Sequence, residues 1–441
     1  MIKSILIANR GEIAVRVVRA CKEMGIETIV VYSEADAHSL PVRLADKAVC
    51  IGPAASKSSY LKMENLISAA ILWGADAIHP GVGFLSENAN FAKEVQKAGL
   101  IWIGPDPETI ARMGDKIEAK ETAKKFGVPV IPGLEGSLGD DPEAAKKAAD
   151  EIGYPVIIKA ASGGGGKGMR IVRDPGEFVG TLKIASAEAL ASFNDGTVYL
   201  EKYLENPRHV EIQIIGDSHG NVVHLGERDC SCQQNHQKLV EESPSTVVTP
   251  EMRKSMGEDT VRLFKGLKYC GAGTIEFLVT GGKYYFMEVN ARVQVEHPVT
   301  EMVTGVDIIQ EQIKVASGKK LSIEQKDVNL EGYAVECRVN AKAPGKITDY
   351  LPPGGYGVRI DSFLYNGYSV SPFYDSMIAK VICFASTRNE GLDRMSRVLD
   401  ELTLVGIPTN IEMQKKIINS KIFRSGEYGT DVLEHILAEE D

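Results

Sequence analysis

The 441-residue chain lacks any apolar run long enough to cross a bilayer. Its opening, Met1-Ile-Lys-Ser-Ile-Leu-Ile-Ala-Asn-Arg10, holds only a short apolar stretch, too short for a signal peptide and consistent with a first β-strand. Seven cysteines are scattered, with Cys230 and Cys232 the only close pair. That pattern excludes a disulfide framework and places the chain in a reducing compartment, the cytoplasm. A zinc site at the pair would need a second Cys/His pair nearby. There is no excess of positive charge either. Sixty acidic against fifty basic residues leave a net −10, so nucleic acid is not an expected partner.

Two phosphate-binding signatures are also missing. The first strand–helix turn, Asn9-Arg10-Gly11-Glu12, is not Gly-x-Gly-x-x-Gly, which excludes a dinucleotide site of that type. The glycine run Ser162-Gly163-Gly164-Gly165-Gly166-Lys167-Gly168 does not have P-loop spacing. Internal repeats and low-complexity tracts are absent. A hydrophobic fraction of 44% and a charged fraction of 25% are those of a globular protein. At this length two to three domains are expected.

Strand, helix and strand patterns alternate through the first ~110 residues, which implies a parallel α/β domain. Ile13, Val17, Cys21 and Met24 recur at helical spacing, leaving Arg16, Arg19 and Lys22 for the surface. A small unit follows, with helices near 115–126 and 142–152 and strands at 156–160 and 198–203. The segments 208–215 and 221–228 read as antiparallel strands. From about 330 onward the pattern gives more strands, Gly/Pro turns and a final helix pair. The fold class is therefore α/β and α+β multidomain.

Three segments carry chemistry. The glycine run follows a strand ending at Lys159, so backbone N–H groups and a lysine are placed to wrap a phosphate. Residues 273–279 and 284–290 flank a hairpin signature at Thr280-Gly281-Gly282-Lys283. A three-residue loop sets Glu276 opposite Glu288; a two-residue Gly-Gly loop sets it opposite Met287. Glu276, Glu288 and Asn290 on one face would suit a hard cation such as magnesium. From Glu288 to Glu296 every second residue is polar, so an extended chain would present acid, amide, guanidinium, amide and acid on one face. Arg292 between Asn290 and Gln294 suits an oxyanion, and Glu296 beside it is a candidate general base or a salt-bridge partner. The third segment, Glu227 to Lys238, is too polar for core and reads as a functional or surface loop.

These segments together resemble the biotin carboxylase family of the ATP-grasp superfamily. The likeness rests on Ile7-Ala-Asn-Arg-Gly-Glu-Ile-Ala14, His79-Pro-Gly, Phe84-Leu-Ser-Glu-Asn88, Ser162–Gly168, Glu227-Arg-Asp-Cys-Ser231, Val289–Glu301 and Asp375-Ser-Met-Ile378. It implies an N-terminal domain over 1–114, an ATP-grasp domain over 115–317 with a lid at about 131–203, and a C-terminal domain over 331–440. It implies that Lys116, Lys159, Gly165, Gly166, Glu201, Lys202, Tyr203, Leu204, His209, Gln233, His236, Glu276 and Glu288 surround ATP. Glu276, Glu288 and Asn290 would hold magnesium or manganese, two ions in all. Lys238, Arg292, Gln294 and Val295 would hold bicarbonate, Glu296 would be its base, and Arg338 would stabilise the biotin anion.

The activity so implied is carboxylation of biotin on a carrier protein, through carboxyphosphate, for acetyl-CoA carboxylase or for a pyruvate or other acyl carboxylase. No Ala-Met-Lys-Met segment is present to bear biotin, so the biotin carboxyl carrier protein and the carboxyltransferase are expected to be other polypeptides, and a homodimer is implied. Two features depart from the family pattern: Val82 stands where Tyr usually follows His-Pro-Gly, and Lys342-Ala343-Pro344 replaces a longer acidic loop. The competing readings are an ATP-grasp ligase joining an amine to a carboxylate, and an inactive protein that only binds nucleotide.

Overall fold

The computed structural model describes residues 2–134, 138, 141–161 and 168–438. The glycine loop, with Gly165 and Gly166, lies outside the described residues.

The first strand, Ser4–Ile7, is wholly buried and sits at the centre of a five-stranded parallel sheet. Its order is Lys47–Cys50, Glu27–Tyr32, Ser4–Ile7, Ala77–His79, Ile101–Trp102. The expected strand–helix alternation is what a parallel sheet needs, because each crossover must return the chain to the same edge. Gly11, at φ 68°, lets the chain leave the first strand and enter the helix Gly11–Glu23. Ile13, Val17 and Cys21 of that helix are buried as expected. Arg16 is a correction: it is buried, 3.0 Å from Glu301 and 2.5 Å from Asp307, because the far face of the helix packs on the helix Ile308–Ala316 rather than on water.

A second, three-stranded antiparallel sheet has Val156–Ala160 between Met169–Val172 and Val198–Lys202. The helices Pro142–Ile152 and Phe178–Phe193 cover it through Ala145, Ala149, Leu182, Ala185 and Ala189. This small unit has its own core.

The remaining framework is built on an eight-stranded antiparallel sheet, with two small two-stranded sheets beside it among the described residues. Its order is Lys283–Asn290, Gly271–Thr280, Arg208–Gly216, Val222–Gln234, Gln237–Ser243, Tyr333–Asn340, Met377–Ala385, Val358–Ser362. The sheet is continuous between the segments before residue 317 and those after 331. Side chains on strands from both segments therefore share one face and one rigid platform.

Close backbone approach fixes the end of one interior strand of this platform, Arg208–Gly216. A Cβ on Gly216 would lie 2.3 Å from the carbonyl oxygen of Tyr269, whose ring packs edge-on against Phe264. Gly216→Ala is expected to destabilise the chain by about 1–3 kcal/mol, since backbone must shift. Thermal unfolding checks this: the midpoint falls by several degrees, and an unchanged midpoint refutes it.

Candidate active site

The hairpin Gly271–Thr280/Lys283–Asn290 solves the register question in an unexpected way. Thr280 pairs with Lys283, so the loop is the two-residue Gly281-Gly282, both at positive φ as a type I′ turn demands. Phe277 then pairs with Phe286, and Met287 is squeezed out as a bulge. The extra residue lets Phe286 enter the core and still returns Glu288 opposite Glu276. Neither simple register holds; the bulge reconciles the short turn with the carboxylate pair.

The chain beyond Asn290 does not stay extended. The strand ends there, residues 291–296 form bends and a turn, and Pro298 lies in the first turn of the helix His297–Thr304. The alternation survives the change of backbone as far as Gln294, after which Val295 is half-buried and lines the cavity too. Ala291 and Val293 are core, while Asn290, Arg292, Gln294 and Glu296 line the same cavity as Glu288. Arg292 Nε lies 2.7 Å from Glu87, and its Nη2 donates to Asn290 Oδ1 at 2.9 Å.

The segment 227–238 is a second correction. Residues Val222–Gln234 are a strand and Gln237–Ser243 the next, joined by Asn235-His236, both at positive φ. Glu227, Arg228, Asp229 and Ser231 are buried, their charges satisfied by neighbours rather than by water. Polarity suggests a loop; mutual pairing across strands makes core. Arg228, fully buried, donates from Nε to Glu211 (2.5 Å), from Nη1 to Gln213 (2.6 Å) and Thr300 (3.0 Å), and from Nη2 to Thr274 (3.2 Å) and Gln294 (2.6 Å).

Lys238, the second residue of the strand Gln237–Ser243, reaches three carboxylates at once: Glu211 at 2.7 Å, Glu276 at 2.9 Å and Glu296 at 2.6 Å. Arg338, from the C-terminal segment, donates to Glu241 at 2.5 Å and lies 3.1 Å from the other oxygen of Glu296. Burial pushes the Glu296 carboxyl up, but Lys238, Arg338 and Arg228 outweigh it and hold the group below its ordinary value. Glu296 is thus a carboxylate clamped between two cations that favour its ionised form.

On the opposite side, Glu201 takes Lys120 and Lys159 at 2.7 Å each, and Lys202 donates to the carbonyls of Gly153 and Tyr154. A cavity of about 1960 Å³ joins the two clusters. Lys116, Tyr203, Leu204, His209, Gln233, His236 and Val295 also line it. So do Val82, Arg338, Tyr374 and Met377. All the described residues that the resemblance singled out therefore meet around one space.

Glu87, Lys120, Glu211, Arg228 and Glu241 belong to the same constellation without having been singled out for a role. Glu211 had a signal, since His209, Glu211 and Gln213 share one strand face. The others are brought in by tertiary packing.

The donor set also fits a divalent cation. Burial and the facing Glu276 push the Glu288 carboxyl up, whereas Glu276, despite burial, is held well below its ordinary value by Lys238 and His209. Two opposed carboxylates, Glu276 buried and Glu288 half-buried, leave a repulsion that a hard cation relieves, while Asn290 donates its Nδ2 to Glu276 at 3.0 Å and would turn its oxygen from Arg292 to join them. His209, Glu211 and Glu276 also bring ligand atoms within 4.8 Å of one another, but Lys238 already supplies the positive charge there.

Comparison with known proteins agrees with this geometry. Residues 1–110 match the family model "Biotin carboxylase, N-terminal domain", 115–324 match "Carbamoyl-phosphate synthase L chain, ATP binding domain", and 334–435 match "Biotin carboxylase C-terminal domain". The chain is 54% identical to biotin carboxylase 1 of Bacillus subtilis over 98% of both chains. It is 50% identical to a pyruvate carboxylase subunit of Methanothermobacter thermautotrophicus, over 98% of this chain and 89% of that one. The biotin carboxylase domain dimer of Hydrogenobacter thermophilus 2-oxoglutarate carboxylase was solved with MgADP, ADP and bicarbonate. It superposes with a TM-score of 0.93 at 46% identity, covering 100% of this chain and 99% of that one. The chain belongs to the biotin carboxylase family, ATP-dependent ligases built on an ATP-grasp nucleotide-binding domain.

Proposed function

We propose that this enzyme uses ATP and bicarbonate to carboxylate biotin borne by a separate biotin carboxyl carrier protein, as the first half-reaction of an acetyl-CoA carboxylase. The observation that carries the reading is Glu296, ionised and held between Lys238 and Arg338, on the wall of the cavity that Lys159 and Glu201 also line.

In this reading Lys238, Arg292, Gln294 and Val295 bind bicarbonate, and Glu296 takes its proton. The bicarbonate oxygen attacks the γ-phosphorus, the bond to the β-phosphate oxygen breaks, and ADP leaves carboxyphosphate behind. Lys116, Lys159, Glu201, Lys202, Tyr203, Leu204, His209, Gln233 and His236 position the nucleotide. Glu276, Glu288 and Asn290 would hold magnesium or manganese, which offsets phosphate charge. Carboxyphosphate releases carbon dioxide and phosphate; phosphate removes the ureido N–H proton of biotin, and Arg338 steadies the resulting anion. Nitrogen then attacks carbon dioxide. Lid closure keeps the labile intermediate from water.

The domain assignment follows: 1–114 as scaffold, 115–317 as ATP-grasp with its lid at about 131–203, and 331–440 completing the biotin side. Among the described residues no helix is long and apolar enough to cross a membrane. The seven unpaired cysteines support a cytoplasmic location. The dimeric relative supports a homodimer.

Relatives named for pyruvate and 2-oxoglutarate carboxylases make another acceptor the second reading. Capture of the chain from its own cells, with detection of the biotinylated partner and assay of label transfer from carboxybiotin, tests this. Transfer to acetyl-CoA supports the proposal; transfer to pyruvate or another acid overturns its acceptor.

A further inference from the structure

The turn that carries Glu296 is held from behind by a lysine that takes no part in the scheme above. Lys380 sits in the strand Met377–Ala385, directly across from Arg338, with no exposed surface. Its Nζ donates to the carbonyl oxygen of Val295 at 2.8 Å and lies 3.1 Å from Glu12 and 4.0 Å from Asp361. Burying an ammonium is costly, and an apolar side chain of the same length would fill the space as well. What an apolar residue lacks is a hold on Val295.

That hold has a geometric consequence. A peptide unit is planar, so fixing the Val295 carbonyl fixes the Glu296 N–H on the opposite side of the plane. The preceding carbonyl, Gln294 O, is pinned too, 2.8 Å from His297 Nδ1. The two peptides spanning Gln294, Val295 and Glu296 are therefore both locked. Glu12 comes from the first turn of the helix Gly11–Glu23, Lys380 from the C-terminal segment and Val295 from the segment between, so three parts of the chain converge on one turn.

We propose that Lys380, anchored by Glu12, is a positioning residue for the bicarbonate step, setting the Gln294–Glu296 turn without touching substrate. The inference rests on the bicarbonate reading of that turn. A misplacement of the order of an ångström costs up to ~10²-fold in such steps.

The test measures ATP turnover by the full chain against bicarbonate and against MgATP, for Lys380→Met, Glu12→Gln and the double variant. The double variant removes Lys380 together with its nearest carboxylate and leaves Asp361 paired with Arg359 at 2.7 Å. Expected is a rise of about tenfold or more in the KM for bicarbonate with Lys380→Met and with the double variant, and a smaller rise with Glu12→Gln. The KM for MgATP should move less than about twofold, and Lys380→Arg should recover part of the loss. Where Lys380→Met does not fold, Glu12→Gln, nearly isosteric, carries the same comparison. A folded variant with an unmoved KM for bicarbonate, or one whose two KM values rise together, overturns the inference. A parent enzyme whose ATP turnover does not saturate with bicarbonate overturns the underlying reading instead.

Discussion

Arg228→Met is expected to cost about 3–5 kcal/mol of stability, because it strips the guanidinium from a fully buried network and leaves Glu211 short of a cation. All five N–H donors of Arg228 are used, on Glu211, Gln213, Thr300, Thr274 and Gln294. Two of those partners lead straight to the site: Glu211 also takes Lys238, and Gln294 also donates to Glu276 at 2.8 Å. Activity should therefore fall with stability. Arg228→Lys should rescue little, since one ammonium cannot address five acceptors in a planar fan. Denaturant unfolding measures the effect, and a loss under about 1 kcal/mol would show that the network relaxes around the gap.

Glu296→Gln keeps the volume of the side chain and removes its basicity, so turnover should drop by about 10²–10⁴-fold while the KM for MgATP stays near that of the parent. The pH dependence has a definite sign. The folded-state value of Glu296 is lowered, so its contribution to stability is present above the ordinary carboxylate range and is lost only as pH falls through the lowered value. The acid limb that this group gives to kcat/KM for bicarbonate should accordingly lie below the ordinary carboxylate range. An acid limb near neutrality that disappears in Glu296→Gln would mean that the two cations do not hold the group ionised.

How much of this is legible in the sequence depends on whether a residue's role is local. The parallel sheet is legible because strand and helix periods alternate over residues 3–103. The carboxylate pair at Glu276 and Glu288 is legible only as one of two registers. The Gly-Gly turn alone predicts the other, and the bulge at Met287 arises from Phe286 seeking the core, a tertiary cause. Residues 227–238 read as loop because a polar run looks solvated until its partners are known. Arg228 and Glu211 lie seventeen residues apart in sequence and 2.5 Å apart across two strands. Lys380 and Arg16 stay invisible for the same reason: burial of a single cation is decided by Glu12, Glu301 and Asp307, which only the fold brings near.

The most direct measurement is ADP release by the purified chain with MgATP, with and without bicarbonate and free biotin. ATP cleavage that requires bicarbonate and accelerates when biotin is added is the predicted result, since Glu296 has no proton to take without bicarbonate. ATP cleavage indifferent to bicarbonate would contradict the account, because the Lys238–Glu296–Arg338 cluster would then have no part in the reaction.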